Sequence, residues 1–96
     1  MLEQLRLEDF LPFLGQTIDV AAHGRHAGLE LATAELLRSP SPRATPSFHL
    51  ILRSAENWQI PQGMFTLNLP GREPIELFAV PIGPDGKGLC YEIVFN

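Results

Sequence analysis

The sequence predicts a mainly β fold, a small antiparallel β-barrel or roll of about six to seven strands with a short N-terminal helix. Three observations lead there. Short stretches alternate apolar and polar residues, and Gly, Pro, Asn and Asp punctuate the chain at intervals of roughly ten residues. The last quarter, IELFAVPIGPDGKGLCYEIVFN from Ile75 to Asn96, is two runs of branched and aromatic residues flanking one turn signal. A chain of 96 residues can bury one core but not two, so residues 1–96 are expected to form a single domain, with a helical cap over 6–14 and a β-domain over 16–96.

In chain order, Leu7-Glu8-Asp9 puts negative charge in a first helical turn, Phe10, Phe13 and Leu14 have helical spacing, and Gly15 is a stop. Pro12 keeps the element short and partly 3₁₀. Gln16 to Ala22 alternates, with Ile18 and Val20 on one side and Thr17 and Asp19 on the other. His23-Gly24-Arg25-His26 is a polar turn, and Leu29 and Leu31 around Glu30 make a second strand. Residues 32–37 suit helix as well as strand; the preceding alternation favours a further strand with a bulge. Three prolines make 38–46 a surface loop. Phe48, Leu50 and Leu52 then alternate with His49, Ile51 and Arg53 as the next strand. A loop around Trp58 ends in Pro61-Gln62-Gly63, Phe65, Leu67 and Leu69 mark another strand, and Pro70-Gly71-Arg72-Glu73 turns into the closing hairpin.

Gly83-Pro84-Asp85-Gly86 has Pro and Gly where a type I turn favours them, with Gly86 left-handed at a bulge. That turn sets Gly83 opposite Lys87, Ile75 opposite Phe95, Leu77 opposite Ile93, Ala79 opposite Tyr91 and Pro81 opposite Leu89. One face is then apolar apart from the tyrosine hydroxyl. The other carries Glu76, Phe78, Val80 and Ile82 against Val94, Glu92 and Cys90. That second face is too apolar for bare solvent, and the N-terminal segment with Phe10 and Phe13 is its expected cover.

The net charge of −4 and scattered basic residues disfavour nucleic acid and anionic membranes as partners. A lone cysteine, no apolar run near membrane-spanning length and no leader pattern point to a cytoplasmic setting. His23, His26 and His49 have no informative ligand spacing, so no metal is expected. Cys90 lacks an activating base, the carboxylates show no paired logic, and neither a nucleophile elbow nor a phosphate-cradling glycine loop occurs. No enzyme activity and no cofactor are expected.

The segments Leu7 to Phe10 (LEDF), Leu14-Gly15, Leu29-Glu30-Leu31, Phe48 to Arg53, Pro61 to Phe65 (PQGMF) and ELFAVPIGPDGKGLCYEIVFN resemble a family of small uncharacterised bacterial proteins, a domain of unknown function of about this length. Arg6 stands where that family commonly has a small hydroxyl residue, and Ser39 to Thr45 follows no family pattern. The resemblance implies a stand-alone bacterial domain with no assigned activity, near phage-tail-like proteins. The reading that follows is a non-enzymatic protein-interaction or assembly module that docks through a sheet edge or the Trp58 loop onto a protein partner or a second copy. Trp58, Phe78, Val80, Ile82 and Arg53 are its candidate interface. A small-ligand-binding barrel with its mouth near Trp58 and Arg53 is the alternative. Trp58 itself suits either a binding hot spot or a lid over one barrel end.

Overall fold

The computed structural model describes residues 5–37, 47–55 and 59–95. Trp58 and the proline-rich loop over 38–46 lie outside the described residues. Six strands follow two 3₁₀ turns, Leu7–Asp9 and Leu11–Phe13: β1 (Thr17–Ala22), β2 (Arg25–Leu36), β3 (Phe48–Ser54), β4 (Gly63–Asn68), β5 (Ile75–Pro84) and β6 (Leu89–Phe95). They close into a barrel in the order β1-β2-β3-β6-β5-β4, every pairing antiparallel.

The second and third strands of the sequence reading are one long strand, β2, and the expected bulge lies inside it, between Leu31 and Thr33. The bulge corrects parity. Leu29 and Leu31 point inward, so an unbroken pleat would send Thr33 and Glu35 inward too. One extra residue puts Ala34 in the core and leaves Glu35 outside. At the other end of β2, His23 (φ 52°) and Gly24 (φ 76°) form a two-residue loop with both residues left-handed, the type I′ turn whose twist matches a hairpin. Arg25 and His26, expected in the turn, already belong to the strand.

Inward side chains fill the barrel. Ile18 and Val20, Leu29 and Leu31, Leu50 and Leu52, Phe65 and Leu67, Ala79, Tyr91 and Ile93 are all 2% exposed or less. The tyrosine hydroxyl that the hairpin sends inward is satisfied: the Ile60 backbone N–H donates to it at 2.9 Å. The loop before β4 therefore closes that end through Ile60, itself buried.

The closing hairpin departs from its expected register. Val80 pairs with Glu92 and Pro81 with Tyr91; after a bulge at Ile82, Gly83 pairs with Cys90 and Pro84 with Leu89. The turn comes later than expected because Asp85 organises it. Its carboxylate accepts the backbone N–H of Lys87 at 2.9 Å and of Gly88 at 3.1 Å, and its own N–H donates to the Gly88 carbonyl. The slip below the bulge is two residues, an even number, so the inward and outward sets survive. Pro81 and Pro84 are tolerated mid-strand because β5 pairs with β4 only through Ile75–Ala79 and with β6 only from Val80 onward.

The N-terminal segment corrects a second expectation. It plugs a barrel end and does not cover the hairpin's outer face. Phe48 and Phe95 are ladder partners stacked at 4.2 Å, and Phe10 leans on both at 5.9 and 5.6 Å. Asp9 accepts the Arg6 backbone N–H at 2.8 Å, which caps the first 3₁₀ turn from within where Arg6 offers no hydroxyl, and pairs with Arg72 at 3.2 Å. That backbone hydrogen bond is the main reason the Asp9 carboxyl sits below its ordinary value. Truncating Phe10 to Ala removes a fully buried ring and is expected to cost about 3 kcal/mol of stability, read as a lower urea midpoint with native far-ultraviolet dichroism retained.

Candidate interaction surface

Alternation decides what the barrel shows outside. On β5, Phe78, Val80 and Ile82 point outward and are 52%, 37% and 50% exposed; beside them stand Met64 on β4 at 52% and Val94 on β6 at 45%. Met64 is the ladder partner of Phe78, Val80 of Glu92, and Val94 of His49. The three sequence-predicted residues are thus the centre of an apolar face across β4, β5 and β6. Met64 extends it. Its outward position was legible from its alternation with Phe65, but only the strand order sets it beside Phe78.

Arg53 belongs elsewhere. It points outward from β3 opposite Cys90, and its guanidinium bridges two carboxylates, Glu30 of β2 at 2.9 Å and Asp85 of the β5–β6 turn at 2.8 Å. This clamp ties the closing turn back to the sheet. Gly88 makes the close approach possible, since a Cβ there would overlap the Ser54 carbonyl oxygen. Asp85 is held below the usual carboxylate range, first by the Lys87 backbone N–H and next by Arg53; the Arg53 guanidinium is shifted up, chiefly by Asp85. Burial pushes the Cys90 thiol up and Asp85 adds to it, which opposes thiolate formation. An open cleft of about 230 Å³ adjoins the clamp, lined by Thr17, Gly28, Glu30, Arg53, Ala55 and Lys87.

The three histidines go to three different places. His23 Nε2 lies 2.9 Å from the Pro61 carbonyl, and since a carbonyl can only accept, that nitrogen carries the proton. His26 lies 3.5 Å from Asp19, and His49 Nδ1 lies 2.7 Å from Glu92. Among the described residues no three His, Cys, Asp or Glu side chains are grouped to hold a metal, and no helix is long and apolar enough to cross a membrane.

Fold and surface together define a closed six-stranded antiparallel barrel with one apolar outer face and a carboxylate–guanidinium clamp at its closing turn. The chain belongs to the family described as Domain of unknown function (DUF6916), which matches it over residues 5–95. No curated protein and no solved structure matches it.

The sign of the Asp85 shift makes a test of the clamp. A carboxylate with a lowered folded value stabilises the fold above its unfolded value near 3.8, and loses that contribution as pH falls through the folded value. Asp85→Asn is therefore expected to melt below wild type at pH 7, with the gap narrowing progressively as pH falls below about 4 in parallel thermal scans.

Proposed function

We propose that the protein is a non-enzymatic docking module of a bacterial assembly, and that the β4–β5–β6 face is where it docks. One observation carries this reading: Met64, Phe78, Val80, Ile82 and Val94 are exposed on three neighbouring strands, Met64 opposite Phe78, and the N-terminal segment leaves them open. Contiguous apolar faces on small soluble proteins mark sites of association, whereas scattered apolar residues do not. A sheet-edge contact, the other route expected from sequence, gains less support: the stretch of β5 over 80–84, which pairs with β6 alone, is blunted by Pro81, Pro84 and the bulge at Ile82. The phage-tail-like neighbourhood implied by the family resemblance suits such a module, and a cytoplasmic setting suits a buried free thiol at Cys90. The ligand-barrel alternative gains no support from the interior, where side chains occupy the inward positions.

Phe78→Ser is the direct test. The side chain is half exposed, so its loss is expected to cost about 1 kcal/mol of stability and leave the fold intact while removing the partner captured by tagged wild-type protein. A strictly monomeric wild type, with every captured protein unchanged in both Phe78→Ser and Trp58→Ala, would end the proposal.

A further inference from the structure

We infer that the occupant of the β4–β5–β6 face is a protein segment whose apolar contact residues are flanked by Lys or Arg, and not a second copy of this chain. The inference rests on the docking reading and narrows its partner. The stretch of β5 that pairs with β6 alone, residues 80–84, holds two prolines and a bulge, so the contact is made by side chains laid on a face, not by added strand hydrogen bonds. The charges on that face have one sign. The strands β4, β5 and β6 contain two carboxylates, Glu76 and Glu92, and neither Lys nor Arg.

Their positions frame the apolar residues. Glu76 is exposed on β5 next to Phe78 and opposite Thr66. Glu92 lies between Ile51 on β3 and Val80 on β5 in the ladder. Glu35 on β2 ends the row that runs through His49 to Val94. The neighbouring arginines are engaged with other carboxylates, Arg53 with Glu30 and Asp85, and Arg72 with Asp9. Among the described residues, His49 is the titratable nitrogen within the frame, and it lies against Glu92.

A two-fold dimer through this face would bring the same surface onto itself. Its rim would then meet carboxylate with carboxylate, on a chain already carrying a net charge of −4. A partner with a basic rim meets the same frame with favourable pairs and the same apolar centre. The negative frame equally disfavours phosphate-bearing surfaces.

Two synthetic amphipathic helical peptides with identical apolar faces, one flanked by Lys and one by Glu, test this by fluorescence anisotropy. The Lys-flanked peptide is expected to bind wild type about tenfold tighter, a preference that shrinks in high salt and reverses in a Glu35→Lys/Glu76→Lys variant. Phe78→Ser should weaken both. Equal binding, binding of neither peptide, preference for the Glu-flanked peptide, or a Phe78-dependent dimer in sedimentation equilibrium would each overturn the inference. Failure of the docking reading looks different: Phe78→Ser would then leave every captured partner of the full-length protein in place.

Discussion

Ring closure is the constraint on which this structure depends. Six strands that share hydrogen bonds all the way round have only two surfaces, and alternation assigns every residue to one of them. An error of parity in one strand would turn its whole apolar set outward, so the chain corrects parity where the pattern slips. The bulge after Leu31 does this within β2, where Ala34 enters the core and Glu35 leaves it. The interior that results is completed at one end by Phe10 against Phe48 and Phe95, and at the other by Ile60 on the Tyr91 hydroxyl. Both ends are closed by residues outside the strands, which is why short flanking segments matter to a barrel of this size.

Closure also makes demands on the last hairpin, because β6 must reach β3 on one side and β5 on the other. The Asp85 turn, the bulge at Ile82 and the Arg53 clamp are three parts of one answer. The turn sets where β6 begins, the bulge absorbs the odd residue, and Arg53 holds the turn to β2 through Glu30. Arg53 was a candidate interface residue from sequence. Its guanidinium has two carboxylate partners within the fold, at separations of 23 and 32 residues in the chain. Pairing over such separations cannot be seen in a local pattern.

Much of the architecture was nonetheless legible. Alternation marked β1, β3, β4 and the middle of β2, because a half-buried β-strand writes its burial into a period of two, and branched and aromatic runs around one turn signal marked β5 and β6. Alternation could not tell that the second and third segments were one strand, since a bulge resets the phase and a reset resembles a boundary. The hairpin turn was placed too early for a related reason. Gly83-Pro84-Asp85-Gly86 satisfies the residue preferences of a type I turn, but the Asp85 carboxylate hydrogen-bonding to Lys87 and Gly88 outweighed those preferences. The face pattern survived because the slip was even. The destination of Phe10 was out of reach, since its partners Phe48 and Phe95 lie far along the chain and a helical spacing says only that a residue is buried, not against what.

The outward residues of the barrel differ sharply between its two sides. On β1 and β2 they include Thr17, Asp19, Glu30, Thr33 and Glu35, with Leu36 exposed at the end of β2, while on β4, β5 and β6 Met64, Phe78, Val80, Ile82 and Val94 stand among Thr66, Glu76 and Glu92. Strand propensity does not account for this contrast. Thr and Tyr favour strands as well as Val and Ile do, and β1 and β2 form with polar residues outside. Nor does folding stability account for it, because an outward side chain left half exposed recovers only part of its transfer energy from water, and the core is complete without it. An apolar face that neither β-pairing nor the core requires increases the risk of unwanted association. On the docking reading proposed above, contact with another molecule would turn that liability into binding energy, and the carboxylates framing the face would restrict which molecule that can be.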